Sequence, residues 1–197
     1  METTAQEPFE RFAELYAQVL AEVPKDPTAM ILATVGADGA PSARVVLLKA
    51  HDERGFTFYT NNLSRKGQEL THDPRAALVF FWPQLNRQVR VEGRVIDVPA
   101  EESDAYFASR ARPSQLGAWA SLQSQPLDTH ETLVQRMEAL EKKYLGQEVP
   151  RPPHWGGHRL QPTRIEFWQD RPGRLHVREL YTRERPEGPW KRELLYP

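Results

Sequence analysis

Basic side chains stand at several separate places in the chain, and at each place they could hold a small anion. Ser64 is suited to be the N-cap of a short helix, with Arg65 and Lys66 in its first turn. Two cations are unfavourable there because the N-terminal end of a helix is already positive. A bound phosphate would neutralise them and accept hydrogen bonds from the free N–H groups of that turn. The segment therefore suggests a phosphate site, with a solvated basic loop as the alternative.

Tyr106, Arg110 and Ser114 form a second candidate anion site. Tyr106 and Arg110 are four positions apart on a predicted helix, so they share a face, and Ser114 follows after a further four. A guanidinium between two hydroxyl groups is well suited to grip a phosphate. The alternative is an amphipathic helix that has an aromatic anchor and a solvated arginine.

Two predicted strands carry further basic groups. One strand begins with Arg44 and ends with Lys49, and alternation places these two side chains on opposite faces. The other is predicted over 174–182, with Arg174, His176 and Arg178 at alternate positions of one face. Such groups repel one another unless an anion or an acid lies opposite. The alternatives are an edge strand with charged ends and a surface strand paired with neighbouring carboxylates.

Gln88, Gln123, Ser124 and Trp168 lie beside apolar runs. Amide groups can bind the carbonyls and ring nitrogens of a heterocycle. An isolated tryptophan is more often a core residue than the wall of a cofactor site. These residues identify no ligand by themselves.

Composition excludes several classes of protein. The chain has 197 residues and a net charge of −1, which argues against non-specific nucleic-acid binding. It has no cysteine, so disulfides, zinc–thiolate sites and thiol nucleophiles are excluded. No apolar run approaches the roughly 20 residues of a membrane span. The polar, acidic start of the chain is unlike a signal peptide, so a cytoplasmic location is expected.

Short strands joined by turns dominate the predicted elements, with helices inserted between them. This pattern predicts a mainly β fold with added helices (α+β), built on an antiparallel sheet closed into a barrel rather than on βαβ units. Neither a Rossmann fingerprint nor a P-loop is present. We expect one domain over 1–197, in which 1–24 form an N-terminal helix, 99–147 a helical insertion and 159–197 the last strands. The strands are predicted over 29–35, 41–49, 56–60, 76–82, 87–98, 159–160, 164–169, 174–182 and 190–196, and the helices over 9–23, 64–71, 99–111, 113–120 and 129–144.

Taken together, these segments resemble the pyridoxamine 5′-phosphate oxidase family over 27–197. The resemblance rests on many short stretches in the same order, each of them weak alone. They include Asp-Pro-Thr-Ala-Met at 26–30, Ser-Arg-Lys at 64–66, Tyr-Phe-Ala-Ser-Arg at 106–110, Ser-Gln-Leu-Gly-Ala-Trp at 114–119, Trp-Gly-Gly at 155–157, Ile-Glu-Phe-Trp-Gln at 165–169 and Arg-Leu-His at 174–176.

The resemblance implies an FMN-binding split β-barrel of antiparallel Greek-key type, and a homodimer with each FMN site at the subunit interface. It implies an FMN site formed by Arg44, Val45, Val46, Leu47, Leu48, Tyr59, Thr60, Arg65, Lys66, Gln88, Gln123, Ser124, Trp168 and Arg178. It implies that the substrate phosphate is held by Lys49, Tyr106, Arg110 and Ser114, and that Arg174 and His176 lie over the substrate ring as the catalytic pair. No metal is expected.

The implied activity is oxidation of pyridoxamine or pyridoxine 5′-phosphate to pyridoxal 5′-phosphate by dioxygen, with release of hydrogen peroxide, and of ammonia from the amine. The alternatives are a related flavin oxidase acting on another ring, as in phenazine biosynthesis, and a flavin-binding protein without turnover. The chain departs from the family pattern at Val177, where an acid is usual, and at Leu194, where arginine is usual. Its N-terminal segment is also short.

Overall fold

The structure is a computed structural model that describes residues 2–3 and 6–197, the first two by their backbone alone. In this part of the chain, helices α1 to α5 span Glu7–Glu22, Arg65–His72, Ala100–Ser109, Arg112–Ala120 and His130–Lys143. Strands β1 to β10 span Glu2–Thr3, Ala29–Val35, Pro41–Leu47, Ala50–Asp52, Gly55–Asn61, Arg75–Trp82, Arg87–Asp97, Trp155–Gln169, Val177–Thr182 and Trp190–Leu195.

All ten strands belong to one antiparallel sheet, in the order β1-β10-β9-β8-β7-β6-β2-β3, with β5 joined to β8 and β4 to β5. Strand β8 pairs with β5, β7 and β9, which is possible because it is long and bends. Its pairing with β7 shifts register between Glu92 and Gly93, which marks a bulge. A side chain at Gly93 would meet the Gln161 carbonyl oxygen at 2.1 Å, so the close approach at this bend requires glycine.

The mainly β fold with inserted helices is as predicted, but three details of the prediction are wrong. The described strands pair in an open path rather than a complete ring, because no ladder joins β3 to β5. The two short strands predicted at 159–160 and 164–169 are parts of the single strand β8. Strand β9 begins only at Val177, since Arg174 lies in a 3-10 turn with a φ of 60°. Arg174 and His176 therefore do not belong to a strand.

The main core forms where α1 covers one face of the sheet. Its residues Phe9, Phe12, Tyr16 and Val19 recur at helical spacing and are buried. The ring of Phe12 lies 4.8 Å from that of Phe56 and 5.1 Å from that of Phe80. The predicted N-terminal helix is thus present from Glu7 onwards, while residues 1, 4 and 5 lie outside the described residues.

A second apolar cluster lies under α3, α4 and α5. It contains Phe107, Leu116, Tyr144, Val149 and Trp155, and it fixes these helices against the start of β8. No helix among the described residues is long and apolar enough to cross a membrane. The inserted helices instead form one wall of the cavity described below.

The carboxylate of Glu179 ties α1 to the last strands. It accepts hydrogen bonds from Arg11, one of them at 2.7 Å, and from Arg192 at 2.6 Å. Burial alone would raise the pKa of Glu179, but these two arginines outweigh it and hold the pKa below its usual range. The stabilisation is complete above the pKa of an unfolded glutamate and is lost as the pH falls through the lower pKa of the folded state.

We expect Glu179→Gln to lower the free energy of unfolding by about 1–2 kcal/mol at pH 7, because both arginines are partly exposed. The loss should shrink as the pH is lowered below about 4. Urea unfolding at several pH values measures both effects. Glu193→Gln is the matched control, since its pair with Lys191 lies at the surface. An equal loss in the control, or a loss independent of pH, would contradict this role.

Candidate functional site

A cavity of about 670 Å³ opens between the edge of the sheet and the inserted helices. Strands β3 and β5 form one side, and α3 and α4 form the other. Its size is that of a small-molecule or cofactor site. Of the residues predicted for the site, it is lined by Val45, Val46, Leu47, Lys49, Tyr59, Thr60, Lys66, Tyr106, Arg110, Ser114 and Gln123.

The charge of this lining is one-sided. Lys49, Lys66 and Arg110 contribute three cations, and no aspartate or glutamate of the described residues lines the cavity. Cations gathered without acids in a concave site favour the binding of anions. The predicted clamp of Tyr106, Arg110 and Ser114 also converges here, since all three line the same space.

Lys66 is buried, with 9% of its surface exposed. As predicted, Ser64 caps α2, which places Lys66 in the first turn. Its Nζ lies 2.8 Å from the Gln123 Oε1 and within 3.3 Å of the hydroxyl oxygens of Thr60 and Ser64, all uncharged acceptors. Burial, and secondly the charge of Arg44, lower the pKa of Lys66. An anion in the cavity would stabilise the charged form.

Arg110 follows the last turn of α3 and rests on an aromatic wall. Its guanidinium carbon lies 4.8 Å from the ring centre of Trp155, which is close enough for a cation–π contact. Tyr59 and Tyr106 stack with their ring centres 4.0 Å apart, and Tyr59 also stacks on Trp155. The Nη1 of Arg110 is buried without a hydrogen-bond partner. A buried N–H group without an acceptor lowers the stability of the fold unless a ligand accepts its hydrogen bond.

Arg44 and Arg65 lie outside the lining of the cavity and share the buried carboxylate of Glu69. The Arg44 Nη2 is 2.9 Å from this carboxylate and the Arg65 Nε is 2.8 Å from it. Burial would raise the pKa of Glu69, but hydrogen bonds from Thr34, Arg65 and Arg44 outweigh it and lower the pKa. The side chain of Arg65 remains 65% exposed. The two arginines are thus held together by one carboxylate in the region of Lys66, and neither of them lines the cavity.

Gln88, Trp168 and Arg178 form a separate group on the far part of the sheet. They are direct neighbours across β7, β8 and β9, so their side chains share one face. Four strand spacings, about 19 Å along the sheet, separate β8 from β3. Arg178 is held by Glu166, at 2.8 Å from its Nε. His176 packs on Trp168, with ring centres 4.8 Å apart. None of this group, nor Arg174, lines the cavity.

Two other predicted residues also lie outside the lining. Leu48 is buried in the main core, and Ser124 lies in the turn after α4 with a φ of 72°. The two positions that depart from the family pattern also lie outside the lining of this cavity. Val177 faces a smaller cavity beside Arg11 and Phe167, and Leu194 is exposed.

Sequence reasoning missed Glu69 and the role of Trp155 as the wall behind Arg110. Glu69 stands four positions after Arg65, which is the spacing of a helical ion pair and could have revealed it. No periodic signal marked Trp155. The other lining residues that were not predicted are Asn61, Ala111, Gly117, Ala118 and Ser121.

Gly67 allows α2 to approach the loop that precedes it. A Cβ at this position would meet the Asn62 carbonyl oxygen at 2.3 Å. We expect Gly67→Ala to separate the helix from the loop and to lower the free energy of unfolding by about 1–3 kcal/mol. Gly117→Ala in α4 is the matched control, because nothing lies within 4 Å of its added Cβ. The control should be neutral or stabilised by about 0.5–1 kcal/mol in thermal denaturation. Equal behaviour of the two variants would contradict the close approach.

Comparison with known proteins gives consistent results along the whole chain. The family model described as pyridoxamine 5′-phosphate oxidase matches residues 16–144. The model described as the pyridoxine 5′-phosphate oxidase C-terminal dimerisation region matches residues 155–197. A pyridoxine/pyridoxamine 5′-phosphate oxidase from Myxococcus xanthus is 59% identical over 97% of this chain and 92% of its own length. One from Rhodopseudomonas palustris is 52% identical over 99% of this chain and 92% of its own length.

Two solved structures share the fold. The first is PhzG from Burkholderia lata in complex with tetrahydrophenazine-1-carboxylic acid, with a TM-score of 0.90 and 33% identity over 96% of this chain and 92% of that one. The second is a pyridoxamine 5′-phosphate oxidase-related, FMN binding protein from Nostoc punctiforme, with a TM-score of 0.77 and 17% identity over both full chains. The second likeness concerns the fold alone. The predicted split-barrel fold is confirmed.

Proposed function

Because this chain belongs to the pyridoxine/pyridoxamine 5′-phosphate oxidase family, we propose that it uses FMN to oxidise pyridoxine or pyridoxamine 5′-phosphate to pyridoxal 5′-phosphate. The observation that carries this proposal is the cavity itself, which is lined by Lys49, Lys66 and Arg110 and by no acid among the described residues. Both FMN and the substrate are phosphate esters, so a nearly neutral chain needs such local cations to bind them.

The residues present fit FMN. Lys66 is a buried cation with only uncharged acceptors around it, and it stands in the first turn of a capped helix. We assign the FMN phosphate to Lys66 and, from the family resemblance, to Arg44, Arg65 and Ser124, which lie outside the lining of the cavity. We assign the contacts with its ring and ribityl chain to Tyr59, Thr60, Gln123 and the backbone and side chains of 45–48.

The substrate phosphate is assigned to Lys49, Tyr106, Arg110 and Ser114. The Nη1 of Arg110, which has no hydrogen-bond partner, supports this assignment because a phosphate oxygen could accept its hydrogen bond. Trp155 limits the movement of the guanidinium from behind. Tyr106 lies on α3 and Ser114 on α4, while Arg110 and Lys49 lie just after α3 and β3. The two helices thus set the positions of the hydroxyl groups on either side of Arg110.

A second copy of the chain is needed to complete the site. Gln88, Trp168 and Arg178 share a sheet face with Ile31, Val45, Leu47 and Phe81, which are between 41% and 65% exposed. An apolar patch of this kind favours an interface. The match of 155–197 to a dimerisation region supports a homodimer that buries this face. In it, Gln88, Trp168 and Arg178 of one subunit would meet the FMN held by the cavity of the other.

His176 packs on Trp168, and Arg174 stands two positions before it in the same turn, so both would enter the shared site and fix the substrate ring over the cofactor. Bound FMN supplies the two-electron acceptor, and dioxygen restores its oxidised form with release of hydrogen peroxide. The alcohol plus O₂ gives aldehyde and H₂O₂, and the amine also consumes water and releases ammonia. The cytoplasmic location expected from the sequence stays a prediction.

The test is an assay of the FMN-reconstituted protein with pyridoxine 5′-phosphate that follows aldehyde and peroxide together. We expect both products in equal amounts. The likeness to PhzG makes an oxidase of phenazine precursors the second candidate. The set of Lys49, Tyr106, Arg110 and Ser114, with two cations and two hydroxyl groups suited to a phosphate, favours the phosphate ester over it. Turnover of tetrahydrophenazine-1-carboxylic acid without turnover of the phosphate ester would overturn the proposal. Bound FMN without either product would mark a flavin-binding protein.

A further inference from the structure

A short turn places His176 at the entrance to β9. Gly173 and Arg174 both have positive φ values, 67° and 60°, which reverse the chain just before the histidine. A non-glycine residue in this conformation is uncommon and is held by its surroundings. The turn brings the His176 ring back over the end of β8, where it meets the groups that follow Trp168.

The Nδ1 of His176 has two neighbours in this turn. It lies 2.9 Å from the Asp170 Oδ1 and 3.2 Å from the backbone nitrogen of Arg171. A carboxylate oxygen can only accept a hydrogen bond, so pairing with Asp170 requires a proton on Nδ1. The Arg171 N–H is directed at the same nitrogen and would instead require a lone pair there, so the two neighbours favour opposite tautomers. The contact with Asp170 is shorter and involves a full negative charge, which favours the tautomer with its proton on Nδ1 and leaves Nε2 as the other nitrogen of the ring.

Other contacts fix the plane of the ring but not its tautomer. Trp168 packs against it at a ring separation of 4.8 Å and an angle of 44°. The His176 side chain is 19% exposed and that of Asp170 is 48% exposed. The described residues give Nε2 no hydrogen-bond partner, so this nitrogen is the one that can face a substrate.

We propose that Asp170 is a positioning residue for the oxidase reaction, which holds His176 in one tautomer and one orientation so that Nε2 is presented to the substrate ring. This inference rests on the proposed function, since it needs His176 to lie over the substrate. Asp170 itself touches neither substrate nor cofactor and acts through His176. Partners that orient a functional histidine through its second nitrogen are a general device in proteins.

The first measurement is the tautomer of His176 in the FMN-loaded protein, read from the ¹⁵N chemical shifts of its two ring nitrogens. We expect the proton on Nδ1 in the unmodified protein and a clear shift toward protonated Nε2 in Asp170→Ala. Asp170→Asn should retain part of the Nδ1 population, because its amide oxygen can still accept. Asp97→Ala is the matched control, since Asp97 lies 3.0 Å from the Nδ1 of a different histidine, His158. The control should alter the signals of His158 and leave those of His176 unchanged.

The second measurement is a double-mutant cycle on kcat/KM for pyridoxine 5′-phosphate. Asp170→Ala should lower kcat/KM about tenfold, Asp170→Asn less, and neither should change FMN affinity. In a His176→Ala background, Asp170→Ala should have no further effect. Multiplicative effects of the two substitutions, or an unchanged tautomer in Asp170→Ala, would overturn the inference. If the unmodified protein shows no oxidase activity, the proposed function fails, while the ring-nitrogen shifts still decide whether Asp170 sets the tautomer.

Discussion

Replacing Arg110 with alanine should raise KM for pyridoxine 5′-phosphate about a hundredfold while the dissociation constant of FMN stays within about twofold. The guanidinium contributes charge-assisted hydrogen bonds to a phosphate, each of which contributes about 1.5–3 kcal/mol when buried. Its Nη1 is buried without a hydrogen-bond partner, so in the free protein the substitution removes chiefly the contact of the guanidinium with the Trp155 ring. Steady-state kinetics and FMN fluorescence titration measure the two constants separately.

Arg112→Ala is the matched control for this substitution. Arg112 is two positions away, but its guanidinium donates to the carbonyl oxygens of Tyr144 and Gln147 and does not line the cavity. The control should lose stability and leave KM nearly unchanged. Equal effects of Arg110→Ala on substrate and on FMN, or no effect on either, would remove the basis for the phosphate clamp.

Lys66→Met should weaken FMN binding about a hundredfold and should not destabilise the FMN-free protein. The two results differ because a buried ammonium group whose hydrogen-bond acceptors are all uncharged is expensive to desolvate, whereas a bound phosphate turns it into a charge pair. The lowered pKa of Lys66 has the same cause, with burial as its main source. Methionine keeps the length and the apolar part of the side chain.

Titration with FMN and thermal unfolding without FMN measure these two effects. Lys191→Met is the control, since Lys191 is an exposed residue of β10 that is paired with Glu193. It should change neither quantity. A Lys66→Met protein that unfolds at lower temperature without FMN but binds FMN normally would contradict the assignment, because Lys66 would then be a structural residue only.

Much of the fold could be predicted from local signals. The prolines and the turn residues mark the ends of most elements, and the cap at Ser64 was identified from its residue type and position. The strand predicted over 174–182 begins three residues later, at Val177, because an alternation of charged residues also occurs in a turn. Two successive residues with positive φ, at 173 and 174, form the turn and exclude a strand there. Nothing in the amino-acid sequence indicates a positive φ at Arg174.

The site could be predicted only in part. Tyr106, Arg110 and Ser114 were grouped from helical spacing and do line one cavity. However, α3 ends at Ser109 and Ser114 lies on α4, so the packing of two helices brings them together. The contact of Asp170 with His176 depends on a turn, and the shared use of Glu69 by two arginines depends on how α2 packs on β3. Neither arrangement has a sequence period. The distance between the cavity and the group around Trp168 is set by strand order, which a linear pattern does not contain.

The central claim is that two separated groups of residues meet at one flavin when two copies of the chain associate. Mixing Arg110→Ala with His176→Ala and allowing subunits to exchange tests it most directly, with oxidation of pyridoxine 5′-phosphate at low substrate concentration as the readout. A mixed dimer would then contain one intact site, so random exchange should restore about a quarter of the original activity. If the mixture stays as inactive as the two separate variants although mixed dimers have formed, each site lies within a single subunit and the proposed architecture is wrong.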